Sequence, residues 1–161
     1  MTEPAFPGDE TFAGRIQERV RHWLTQEGWT ADNLATQATL WALVGTDRNG
    51  RRLVISQSRG HQDRVLIEGR VVPSAPQAER IEALSEEERD ALLWDTRMEL
   101  LRLGIDYSGV EMPLKRVVLM ESIYFEGALD NFLAKDTFFQ RIEQIRRGVA
   151  MVQLLLRRRL G

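Results

Sequence analysis

The chain contains no cysteine, which excludes disulfides, thiolate zinc sites, iron–sulfur clusters and cysteine nucleophiles together and leaves packing as the source of stability. Histidine is almost as scarce. His22 and His61 are the two present, and neither has an Asp or Ser at a spacing that a catalytic motif requires, so they read as a helix-surface residue and a turn residue. A metal site would have to be built mainly from carboxylates. The glycines form no G-x-G-x-x-G pattern and no Walker lysine follows an expected strand, which argues against nucleotide chemistry. No apolar run approaches the roughly 20 residues needed to span a bilayer. Met1 to Glu10 lacks the basic and apolar regions of a secretory signal, and these absences together point to a cytoplasmic protein without a membrane span. Lysine is rare too: Lys115 and Lys135 are the only two among 22 basic residues. Genomic base composition accounts for that bias, and although arginine forks suit carboxylates or phosphates, a bias spread over the chain locates no site. The net charge of −2 gives no global steering toward nucleic acid.

What the sequence does contain is the makings of a packed core. Its 161 residues are 43% hydrophobic and 29% charged and include four Trp, as expected for one globular domain. Residues 1 to 10, with Pro4, Pro7 and Gly8, read as a mobile tail, and 11 to 161 as a single α+β domain. Its organising stretch is Ala38 to Val72. Three runs of alternating polarity lie there, around Trp41 to Val44, Leu53 to Ile55 and Val65 to Ile67. Asp47-Arg48-Asn49-Gly50 separates the first two, and its Asn and Gly tolerate the positive φ of a tight hairpin. That loop lacks the spacing of a calcium site. A three-stranded antiparallel meander follows.

Helices flank it. Phe12, Ile16, Val20 and Leu24 recur at helical spacing, and Gly28-Trp29 supplies the left-handed residue and apolar successor of a Schellman stop. The segment Thr30 to Thr36, with Asp32 and Asn33, reads as a connector, and Pro73 and Pro76 end the third strand. Ser85 with Glu88 is a capping box that starts the second helix, which ends at Gly104-Ile105. A weak strand is expected from Asp106 to Met112 and a strong one from Arg116 to Glu126. In the latter Val118, Met120 and Tyr124 make the second face partly apolar, as in a strand covered on both sides. Asp136 can cap a last helix whose Phe138, Ile142, Ile145, Val149, Val152 and Leu156 form a heptad-like seam.

The order α-β-β-β-α-β-β-α, with about five antiparallel strands, resembles the type III secretion chaperone-like superfamily, which includes the YbjN-like proteins. The residues that carry the resemblance are Phe12 to Leu24, the Asn49-Gly50 hairpin, the Ser85 capping box and the strand Val117 to Phe125 leading into the last helix. The resemblance implies a small cytoplasmic protein, homodimeric and without cofactor, that binds an extended partner segment through apolar surface. It transfers no functional residue. From the residues themselves, a surplus of apolar helix and strand faces with no catalytic constellation points the same way: a non-enzymatic, chaperone-like adaptor. Trp94, Met98, Leu101, Val118, Met120 and Tyr124 are the candidate partner or dimer surface.

Two alternatives remain. One is an enzyme with a carboxylate site near Glu121, which sits among apolar neighbours, and the Arg-rich strands. The other is nucleic-acid binding through the basic patch Arg51, Arg52, Arg59 and Arg64. Six arginines stand against three acids between Asp47 and Arg70, although no aromatics are interleaved to stack bases. The stretch Glu82 to Asp90 carries the opposite sign, with five acids against Arg89. Basic meander and acidic helix start could complement each other within the fold or between subunits.

Overall fold

A computed structural model describes residues 10–34, 36–125 and 134–161, omitting the side chains of Glu10 and Thr11. The protein is α+β. Its helices are α1 (Glu10–Gln26), α2 (Ala75–Ala83), α3 (Glu86–Leu103) and α4 (Lys135–Leu160). Its strands are β1 (Thr30–Asn33), β2 (Thr39–Thr46), β3 (Arg52–Ser58), β4 (Arg64–Val71), β5 (Asp106–Ser108) and β6 (Val117–Tyr124). They hydrogen-bond in the order β1-β2-β3-β4-β6-β5 as an antiparallel sheet. Two elements go beyond the expected order. Thr30 to Asn33, expected as connector, pairs with Leu43 to Thr46 as β1, because the turn-forming Asp32 and Asn33 accept a ladder when a long neighbour offers one. The stretch after Pro73, expected only to end a strand, forms α2. The expected tail, apart from Glu10 at the start of α1, lies outside the described residues, as does Glu126 of the expected last strand.

The chain forms two compact units, Met1–Ile67 with Ser122–Arg141 and Glu68–Glu121 with Ile142–Gly161. In the first, the four-residue spacing of Phe12, Ile16, Val20 and Leu24 places them on one side of α1, where all are buried. Each contributes about 1.5–3 kcal/mol by leaving water. The helix ends as a Schellman motif, with Gly28 at φ 79° and the Trp29 N–H donating to Leu24 O at 2.9 Å. The β2–β3 connection runs from Asp47 to Arg51 and is closed by the Asp47 N–H donating to Arg51 O at 2.9 Å. The Asp47 carboxylate accepts from the backbone N–H groups of Asn49 (2.8 Å) and Arg51 (2.9 Å), and Gly50 takes positive φ while Asn49 does not. Phe125 meets the edge of Phe12, and Trp23 lies 5.7 Å from Phe138 of α4.

In the second unit α3 and α4 run antiparallel. Asp95, in the middle of α3, pairs with Arg159 at the end of α4, and Gln144 Nε2 donates to Leu103 O (2.8 Å) at the end of α3. The seam residues Ile142, Ile145, Val152 and Leu156 are buried, with Val149 half-buried. Asp136 is not a cap: the helix starts at Lys135, so its carboxylate sits inside the first turn, still at the positive end of the dipole. Strand β6 buries Val117, Leu119, Glu121 and Ile123 but leaves Val118, Met120 and Ser122 half-exposed and Tyr124 exposed, so it is not covered on both faces.

Candidate functional site

Three segments of the second unit enclose a cleft of about 590 Å³. Val72 and Pro73 follow β4, Ala78 and Ile81 come from α2, and Met112 to Leu114 lead into β6; Glu82, Arg89 and Lys115 supply the polar groups. Local sequence fixes the α2 wall. Ser74 Oγ accepts from Gln77 N–H (3.3 Å) while Gln77 Oε1 accepts from Ser74 N–H (3.0 Å), a capping box that starts α2 with Pro76 in its first turn. A second box at Ser85 and Glu88 starts α3 at once. Arg89 then reaches back, Nε donating to Ile81 O (3.3 Å) and Nη2 to Glu82 O, which places its charge at the negative end of α2. Arg80 binds the carbonyls of Leu160 and Gly161 at the end of α4 in the same manner. On the far wall, Arg97 donates through Nε and Nη2 to Val110 O, anchoring the segment that leads to Met112.

The cleft has the size of a small-ligand or side-chain pocket and is walled mostly by apolar groups. Arg89 is committed to α2, which leaves Glu82 and Lys115 as its freely directed charges. Its lining residues include no histidine, serine or threonine. Among the described residues no group of three or more His, Asp or Glu could hold a metal ion.

A second surface lies on α3 and α4. Trp94, Met98 and Leu101, spaced by four and three residues on one helical face, are 63% exposed, half-exposed and 61% exposed. The opposite side of the same helix buries Leu92, Leu93, Thr96 and Leu100. On α4, Leu154 is 60% exposed, and Leu155 lines a groove with Trp94, Met98 and Arg158. Leu154 and Leu155 are apolar yet fall off the buried seam, a signal legible in the sequence.

The other expected residues are not gathered. Val118 and Met120 sit on β6 opposite Ser108 and Asp106 of β5. Tyr124 belongs to the first unit, where Arg64 Nη1 donates to its hydroxyl at 2.7 Å. Arg51 and Arg52 are exposed at the start of β3 and Arg59 follows its end, so a seven-residue strand, roughly 20 Å of chain, separates the two parts of the basic group. Arg64 is further engaged by Asp63 at 3.8 Å. Glu121 is buried at 7% exposure on the face of β6 that carries Leu119 and Ile123, and it does not line the cleft. Both histidines lie outside the core, on α1 and in the β3–β4 turn. No described helix is long and apolar enough to cross a membrane.

The fold has a counterpart of known structure. The crystal structure of an uncharacterized protein from Methanothermobacter thermautotrophicus superposes with a TM-score of 0.80 at 26% sequence identity, covering 90% of this chain and 99% of the other. No functionally curated protein matches the chain. With residues 16–156 matched by the model of DUF2299, described as an uncharacterized conserved protein, the chain belongs to that family.

Proposed function

We propose that this protein is a cytoplasmic, homodimeric, non-enzymatic adaptor, chaperone-like in that it holds an apolar segment of a partner protein. The apolar cleft between α2 and the Met112–Leu114 segment carries the reading. It offers a preformed pocket held by two capping boxes and two arginine anchors, with walls that are mostly apolar. A Leu, Ile or Phe side chain of the partner would contribute about 1.5–3 kcal/mol there, too little alone to overcome the association penalty, so an extended segment must add further contacts. Strand addition offers little help. The outer strands β1 and β5 span four and three residues, too short to template a long partner strand. The resemblance in element order to secretion chaperones supports the same reading.

Fluorescence anisotropy tests it with labelled peptides that each carry a single Leu, Ile or Phe in a polar extended frame. The expected result is binding that is weakened by Val72→Asp, a substitution at a residue 65% exposed on the cleft rim that leaves folding intact. Peptides with Ala at the anchor position should not bind. Equal binding of anchored and Ala peptides, or indifference to Val72→Asp, removes the reading.

A further inference from the structure

We infer that the exposed face formed by Trp94, Met98 and Leu101 of α3 and Leu154 of α4 is the site at which a second copy of this chain docks, with α3 of each copy lying antiparallel on α4 of the other. The inference rests on the homodimer stated above and assigns its surface. Three large apolar side chains at 60–63% exposure lie on two neighbouring helices. Leu155, next to Leu154, lines a groove with Trp94 and Met98, and exposed apolar surface of this kind is costly to leave in water and is the usual mark of an interface.

Charge selects the occupant and its orientation. The Asp95–Arg159 pair puts the middle of α3 beside the end of α4, with the first turns of α3 running on past that point. The start of α3 is acidic, with Glu86, Glu87 and Asp90 exposed, and Asp90 borders Trp94. The end of α4 is basic, with Arg157 and Arg158 exposed, and Arg158 lines the groove with Trp94. A twofold axis parallel to the two helices, above the groove between them, exchanges α3 with α4 and leaves position along the helices unchanged. Glu87 and Asp90 of one copy then face Arg158 of the second copy, twice per dimer, while Trp94 and Leu101 cover Leu154. The face is therefore complementary to itself in charge, and its apolar residues meet apolar residues. A twofold axis across the helices would instead set α4 on α4 and turn Arg158 away from the partner's acidic start.

Sedimentation equilibrium on the full chain tests this arrangement. Wild type is expected to be dimeric, and Leu154→Glu, which forces two unpaired carboxylates into the interface, to weaken the dimer by about 100-fold or more. Asp90→Arg and Arg158→Glu should each weaken it by roughly tenfold through like-charge juxtaposition. An equimolar mixture of those two variants should regain wild-type affinity. At one site the introduced arginine of the first variant would meet the introduced glutamate of the second, and at the other the native Asp90 would meet the native Arg158. All substitutions are at exposed positions, and unchanged circular dichroism melts confirm that the monomer fold persists. A dimer indifferent to Leu154→Glu, or a mixture no tighter than its components, overturns the docking face while leaving the homodimer standing. A monomeric wild type overturns both, and the peptide measurement at the cleft then decides the segment-binding reading independently.

Discussion

Trp41 and Gln57 are cross-strand partners on β2 and β3, and the indole Nε1–H of the first donates to Oε1 of the second at 2.9 Å. Gln57, fully buried, spends its amide N–H on Gln62 O at 2.8 Å, so one side chain satisfies the indole and ties the β3–β4 turn to the sheet. Replacing Gln57 by Met keeps the volume but leaves a buried N–H and the turn carbonyl without this partner. The expected destabilisation is about 1–3 kcal/mol, read as a lower urea midpoint. Adding Trp41→Phe should recover part of that loss, since the orphaned indole N–H disappears; strict additivity in the cycle would refute the coupling.

The paired capping boxes make α2 and α3 separately testable. Ser85→Ala and Ser74→Ala each remove the acceptor of an N3 amide, at 3.2 and 3.3 Å, and should lower stability by about 1 kcal/mol. Because Ser74 holds the cleft wall, Ser74→Ala should also weaken anchored peptides several-fold, whereas Ser85→Asp, which preserves the cap, should leave both stability and binding unchanged.

Gly109, between β5 and β6, sits at φ 79°, and a Cβ there would run into the carbonyl oxygen of Arg116. Backbone, unlike a side-chain tip, cannot step aside. Gly109→Ala should destabilise by about 2–4 kcal/mol in denaturant titration, far more than a surface Gly→Ala; a loss below about 0.5 kcal/mol would contradict the described turn.

Arg64 both donates to the Tyr124 hydroxyl and places its guanidinium carbon 5.2 Å from the ring centroid. Tyr124 is 53% exposed, so water competes for the hydroxyl. Tyr124→Phe should therefore change stability by less than about 0.5 kcal/mol, and Tyr124→Ala by more, since the ring contact goes too; thermal melts of the two variants separate the contributions.

Much of this architecture was legible in the chain because it depends on neighbours in sequence. Helix α1 follows from the spacing of Phe12 to Leu24. The Gly28-Trp29 and Gly104-Ile105 stops both form the hydrogen bonds of a Schellman motif, Ile105 N–H reaching Leu100 O at 3.1 Å. The Ser85 box starts α3 where expected. Helix α2 carries the same kind of signal, Ser74-Ala75-Pro76-Gln77, but in the sequence alone the prolines read equally as strand breakers and as first-turn residues. Strand β1 carried none, because its four residues are ordered by pairing with β2 and not by their own preference.

The candidate sites divide along the same line. That Trp94, Met98 and Leu101 share a face follows from helical periodicity alone, whatever they meet. That Leu155 lines a groove with Trp94 and Met98, that Arg158 borders Trp94, and that Val72, Ile81 and Leu114 enclose a cleft depend on chain segments brought together from tens of residues apart. The sequence by itself determined α1 and α3 with their stops, the Ser85 cap, the seam of the last helix, the three meander strands and the absence of thiol chemistry, because periodicity, capping and composition act locally. Only the tertiary structure decided which apolar faces are covered, how the arginines divide between the ends of β3, and where a cavity opens, because burial is a property of what packs opposite and not of the residue itself.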